Sequence, residues 1–263
     1  MVQKSQHYTF GDTDLAAQRL RLLAGVFQPT SARLLRGLSD FRGDLGVDLG
    51  CGPGYTTRLV AEHVALTRVA GLDQSARLLE QASRESTNEQ ISFHECDVST
   101  SPFPVPPADF LYSRFLLTHL RDPARVVRAW AAAARPNALL VLEETAYMRG
   151  EHPAFPRYYD LVERMQAHYG QRMYIGRELD SLGACPEWIL DSAQIVESPL
   201  PSADMARLHF ANLQTWSSDA FAKANYPETE LAELGSELER IASGELAAPP
   251  VTLGMGQAVL RRR

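Results

Sequence analysis

The run Val47-Asp48-Leu49-Gly50-Cys51-Gly52-Pro53-Gly54 joins an apolar, strand-like entry to three glycines spaced two apart. Glycine lacks a Cβ, so it takes positive φ readily and lets a ligand approach the backbone. The amphipathic stretch Tyr55 to Val64 follows at once, which places bare amides at a helix N-terminus and predicts a nucleotide-type site. Taken alone, such a strand-to-helix turn also fits a dinucleotide binder or a tight βα turn with no ligand. The spacing separates these readings. A dinucleotide fingerprint has the form Gly-x-Gly-x-x-Gly, whereas this chain reads Asp48-x-Gly50-x-Gly52-x-Gly54, with a carboxylate ahead of the first glycine and no basic residue of the diphosphate-binding kind beside it. A ligand carrying positive charge suits that arrangement.

A second apolar run, Val69 to Leu72, ends in Asp73. That is about 20 residues beyond the glycines, where a carboxylate in such a fold meets ribose hydroxyls. Gln74 and Ser75 then open a helical pattern, and a third run, Ile91 to Phe93, leads into Cys96-Asp97-Val98. With these residues the sequence resembles the class I S-adenosylmethionine (SAM)-dependent methyltransferases of the small-molecule, metal-independent type, with motif support from about Tyr8 to Leu142. The resemblance implies a doubly wound, Rossmann-like α/β fold: a mostly parallel seven-stranded sheet with an antiparallel last strand at its edge, plus a helical lid. It implies that Asp48, Gly50, Gly52, Asp73, Gln74 and Ser113 bind SAM, with Asp97 on the adenine amino group and the Val98 amide facing the ring. It further implies that Tyr8 and Arg19 belong to a cap over the methionine end, where an arginine is the best fixed donor to a carboxylate.

The predicted strands are 45–49, 68–72, 91–95, 110–113 and 138–142, alternating with helical patterns as a parallel sheet requires. A leading helix from Leu15 to Val26 is expected to stop before a second one opened by Pro29-Thr30-Ser31, and Pro102 to Pro107 reads as a stiff connection. The domain plan is a helical cap (1–40), a SAM-binding core (41–145), an aromatic-rich lid (146–200) and a C-terminal part of the core (201–263). In that last part, helical stretches over 203–221 and 228–243 precede a final strand at 256–260. Tyr158, Tyr159 and Tyr169 in the lid are the expected acceptor contacts, because aromatic rings supply apolar area with few rotors.

The chain has 263 residues, a formal charge of −6, and only two lysines among 26 basic residues. No basic patch interleaved with aromatics is present, and the fourth strand runs into Tyr112-Ser113-Arg114-Phe115 rather than an amino-methylating nucleic-acid motif, so no nucleic acid is expected. The polar start, Met1 to Asp14, lacks a signal-peptide pattern and the apolar runs are too short to span a membrane; a cytoplasmic protein is expected. Cys51, Cys96 and Cys185 stand far apart, and neither a disulfide framework nor a metal site is predicted. The sequence therefore predicts methyl transfer to a small organic acceptor, with S-adenosylhomocysteine as product. His119 and Glu144 are the candidate groups for proton removal, histidine because its ordinary pKa of about 6.5 suits neutral pH. A protein that binds SAM without consuming it, as a sensor or cyclase, stays open. So do a nicotinamide-dependent oxidoreductase, which the glycine spacing disfavours, and a homodimer.

Overall fold

The computed structural model describes residues 14–183 and 185–263. Seven strands, β1 (Arg42–Leu49), β2 (Ala65–Asp73), β3 (Ile91–Glu95), β4 (Ala108–Arg114), β5 (Ala134–Arg149), β6 (Trp188–Leu200) and β7 (Val251–Arg262), form one sheet in the order β3-β2-β1-β4-β5-β7-β6. The first five are parallel, and β7 runs antiparallel to both β5 and β6. The helices are α1 (Asp14–Arg36), α2 (Tyr55–His63), α3 (Ala76–Glu85), α4 (Pro123–Trp130), α5 (Ala154–His168), α6 (Leu179–Gly183), α7 (Ser202–Trp216), α8 (Ala220–Asn225) and α9 (Glu228–Ser243).

Side chains on a strand alternate between faces, and both faces here are covered. Leu45, Val47, Leu111, Leu140 and Leu142 pack on one side with Val126, Val127 and Trp130 of α4. Phe110, Tyr112, Leu139 and Val141 pack on the other with Leu35 of α1 and Leu59 and Val60 of α2. A third core is mostly helical, joining α5, α7 and α9 with Phe27 of α1 and the start of β7.

The structure departs from the sequence-based expectation in three places. The final strand is antiparallel but lies inside the sheet, and β6, which occupies the end of the expected lid, forms the edge. The helix α1 continues through Pro29. Proline there removes one helical hydrogen bond, but Phe27, Ala32 and Leu35 around it are buried, so tertiary packing holds the turn. The predicted 203–221 helix breaks into α7 and α8, with Asp219 capping the second through the amides of Phe221 and Ala222. The helical layer thus draws on α1, α5, α7 and α9 rather than on 146–200 alone.

A 3-10 turn (Ile175–Glu178) lies flat on the sheet above β5 and β7 because two glycines let backbones touch. A Cβ on Gly256 would sit 2.1 Å from the Gly176 carbonyl oxygen, and one on Gly176 would sit 2.3 Å from the Glu144 carbonyl oxygen. Gly256→Ala is expected to lower unfolding free energy by about 1–3 kcal/mol through overpacking. Gly25→Ala, in α1 with nothing within 4 Å of the added carbon, should raise it by roughly 0.5–1 kcal/mol. Urea denaturation of the two variants beside the parent checks the opposite signs.

Candidate active site

The strand order reverses between β1 and β4, and a crevice at the carboxyl ends of the strands is where such a sheet binds ligands. A cavity of about 540 Å³ opens there. Its floor is the glycine turn. Gly50, Gly52 and Gly54 have φ of 75°, 51° and 76°, a region most side chains avoid. At Gly52 nothing lies within 4 Å of where a Cβ would be, so the backbone itself faces open space. Two carboxylates hold this turn. Asp48 accepts from the hydroxyls of Thr56 (2.6 Å) and Thr57 (2.7 Å) in the first turn of α2. Asp73 accepts from the Gly52 amide (2.8 Å) and the Ser75 amide (2.9 Å), which ties β1's loop to the start of α3. Burial pushes Asp48 up to about 6 against the threonine hydroxyls, and burial raises Asp73 as well.

Gly50, Gly52, Asp73, Gln74, Asp97 and Val98 all line this end of the cavity. The Val98 loop is fixed from behind by the Trp130 indole N–H, which donates to the Val98 carbonyl at 2.7 Å. The residues present therefore fit an adenosine: an open backbone cradle, a carboxylate at the end of β2 for a diol and a further acid after β3.

The opposite walls come from three helices, each giving one stripe at helical spacing. The helix α1 supplies Arg19, Leu20, Leu23, Ala24 and Phe27; α5 supplies Tyr158, Val162 and Gln166; α7 supplies Met205, Leu208, His209 and Asn212. Arg19 is buried and donates to Asn212 Oδ1 at 3.4 Å, which links the first and seventh helices across the cavity. Between floor and walls, Phe115 takes the rare φ of 56° after β4 and packs edge-on against Phe27 at 5.0 Å. His119, at the end of a 3-10 turn (Leu117–His119), and Glu144 of β5 complete the lining.

The two candidate bases have opposite electrostatics. Burial, reinforced by the Arg19 charge and opposed by a hydrogen bond with Gln171, holds His119 down to about 4, below the ordinary value on which its candidacy as a base near neutral pH rested, so its ring is neutral at pH 7. Burial pushes Glu144 up to about 8, against stabilising backbone amides led by Leu117, whose N–H reaches Oε1 at 2.6 Å. Its neighbour Glu143 is not solvated either: it is fully buried and accepts from Tyr112 and from Gln257 Nε2.

Four expected site residues lie off the wall. Asp48 shapes the turn from beneath, and Ser113 is buried within β4. Tyr159 stands behind the lining with its hydroxyl 3.2 Å from His209 Nε2, and Tyr169 points at Asp219 of the α8 cap. Tyr8 lies outside the described residues. His209, Asn212 and Phe115 line the cavity without having been predicted. The signal for the first two was available: two polar residues at i and i+3 within the apolar stripe Met205, Leu208, Leu213 and Trp216.

Fold and crevice define an α/β protein with a cavity at a topological switch point. Residues 47–142 match the family model described as a methyltransferase domain. The trans-aconitate 2-methyltransferase of Azoarcus sp. (strain BH72) is 28% identical over 169 residues, covering 54% of this chain and 65% of that protein. Among solved structures, a candidate methyltransferase from Bacillus halodurans C-125 shares the fold with a TM-score of 0.59 at 15% identity, covering 88% of this chain and 98% of that one. The [4+2]-cyclase SpnF does so with a TM-score of 0.56 at 16% identity, covering 98% and 85% respectively. The chain spans 30–65% of the length of three of the curated relatives that it matches. Residues 47–142 thus resemble a methyltransferase domain of the SAM-dependent kind. Among the described residues no helix is long and apolar enough to cross a membrane, and no cluster of three metal-ligating side chains occurs.

Two predictions follow from this geometry. Asp73→Ala should weaken SAM at least tenfold by calorimetry, since a charged acceptor hydrogen bond is worth about 1.5–3 kcal/mol and the Gly52 amide loses its partner too; unchanged affinity would remove Asp73 from the site. Glu144 titrates near 8 when folded against an ordinary 4.5, so the folded protein keeps a proton that the unfolded chain has released between those values. The stability this contributes is complete below about 4.5 and is lost as pH rises through 8. Stability of the parent relative to Glu144→Gln should therefore fall across that window, read from urea melts at each pH.

Proposed function

We propose that this chain transfers a methyl group from SAM to a small, predominantly apolar organic acceptor held against the helical walls. The observation that carries the reading is the division of one cavity into a polar floor that fits an adenosine and apolar walls of Leu23, Phe27, Val162, Met205 and Leu208. SAM supplies an electrophilic methyl on a sulfonium. The acceptor's nucleophilic atom gives its electron pair to that carbon as the sulfur–carbon bond breaks, leaving S-adenosylhomocysteine. The chain's main contribution is alignment of the two partners, an effect that can reach roughly 7–11 kcal/mol.

Trans-aconitate, named for several relatives, is a poor fit to these walls as a trianion. Arg19 and Arg114 are the cavity's arginines. Arg114 is engaged with the Ser31 hydroxyl at 3.0 Å and with the Phe115 ring. Where the nucleophile must lose a proton, Glu144 is the better receiver: its Oε1 is fixed on the Leu117 amide, and Oε2 has no hydrogen-bond partner among the described residues. His119 is too weakly basic for that role near neutrality.

The test incubates the protein with methyl-labelled SAM, a panel of apolar hydroxyl, amine and carbonyl compounds, and trans-aconitate. Label is expected in an apolar acceptor, with S-adenosylhomocysteine formed in equal amount; SAM bound but never consumed would favour the non-transferring alternative. With the best acceptor, kcat should rise with pH to a plateau above about 8, the value at which Glu144 titrates. Glu144→Gln should lose that limb and about 10²–10⁴-fold in kcat while still binding SAM. His119→Asn should leave the limb in place.

A further inference from the structure

The strongest unassigned feature is a polar notch in the helical wall centred on His209. This imidazole is 2% exposed and lies in an aromatic box. The Tyr158 ring stacks on it at 4.2 Å, while Tyr159 and Phe155 meet it edge-on at 5.2 and 6.1 Å. The box fixes the ring plane and leaves its two nitrogens in different situations. Nε2 is 3.2 Å from the Tyr159 hydroxyl, which stands behind the cavity lining. Nδ1 is buried and meets no hydrogen-bond partner among the described residues, although His209 itself lines the cavity. With Nε2 taken by Tyr159, Nδ1 is the ring nitrogen still to be matched.

Proton placement follows from chemistry. Burial holds His209 down to about 3 and raises Tyr159, so both are neutral at pH 7. A phenol is a stronger donor than a neutral imidazole, so Tyr159 O–H donates to Nε2, and the single imidazole proton then resides on Nδ1. Nδ1–H is thus a buried donor, and leaving a buried donor unmatched costs free energy. The neighbouring Tyr158 hydroxyl lies near Asn212 and Trp216 without meeting either in hydrogen-bond geometry, so the notch carries a second underused polar group.

We propose that His209 Nδ1 binds an uncharged oxygen of the acceptor, a ketone or ether-type group on an otherwise apolar skeleton, and so sets how the acceptor lies in the cavity. His209 is here a specificity residue of the acceptor site, and the inference rests on the methyl-transfer reading given above.

Calorimetry on the protein saturated with S-adenosylhomocysteine, titrated with carvone and with limonene, tests this directly. The two share a carbon skeleton and differ by the ketone. The parent should bind carvone about tenfold more tightly than limonene, the worth of one hydrogen bond of about 1.4 kcal/mol. His209→Phe keeps a stacking ring without nitrogens and should equalise the two ligands. His209→Asn, whose amide stands at the place of Nδ1, should retain a preference; His209→Gln, which reaches the place of Nε2, should not. That contrast decides the matter if His209→Phe fails to fold, and the parent's preference needs no variant at all. Equal affinities in the parent, a ketone preference surviving in His209→Phe, or binding of neither terpene would overturn the inference. Failure to bind S-adenosylhomocysteine would overturn the methyl-transfer reading along with it, whereas good binding of that nucleoside without ketone preference would overturn this inference alone.

Discussion

Everything at the site hangs on a turn that the chain could not hold by itself. Three left-handed glycines in five residues cost backbone entropy and offer no side chains to pack. Two buried carboxylates compensate from below and beside. Asp48 anchors the first turn of α2 through two threonine hydroxyls, and Asp73 reaches across from β2 to the Gly52 amide and on to the Ser75 amide at the head of α3. The turn is therefore rigid before any ligand arrives, and the strands that carry it are clamped between two apolar layers. Asp73 serves two purposes at once, since the same side chain that braces the loop lines the cavity.

Burial gives the cavity its chemistry by neutralising its ionisable groups. At neutral pH the carboxyl of Glu144 is largely protonated and the ring of His119 is not. Each has moved in the direction that removes its charge from an apolar enclosure. The sequence could name both residues but could not assign their protonation, because burial is set by packing between elements far apart along the chain, and the charge that further lowers His119 comes from Arg19 of α1.

Local patterns carried the nucleotide half of the molecule. The glycine turn, the acids that end β2 and follow β3 and the hydrophobic cores of the first five strands each announce themselves within a few residues, and Gly50, Gly52, Asp73, Gln74, Asp97 and Val98 line one cavity. What depends on long-range packing was hidden. The helix through Pro29 survives because of what Phe27 and Leu35 touch, and β7 sits inside the sheet because two distant strands flank it. Aromaticity alone also misled. Tyr159 and Tyr169 are engaged with His209 and Asp219 behind the lining, while a histidine and an asparagine in an apolar helical stripe face the cavity.

The hydrogen bond between Arg19 and Asn212 spans 193 positions of sequence. That separation has a meaning for the order in which the protein comes into being. The glycine turn and its acids are complete once β3 and its following loop have been synthesised, within the first hundred residues. The wall formed by α7 cannot exist until residue 216 has left the ribosome, and β7, which closes the sheet against β5, comes later still. Domains fold as units, and one sheet carries both parts of the cavity, so the glycine turn is synthesised well before the fold that holds it is complete, and the Arg19–Asn212 hydrogen bond closes only when a helix made much later arrives.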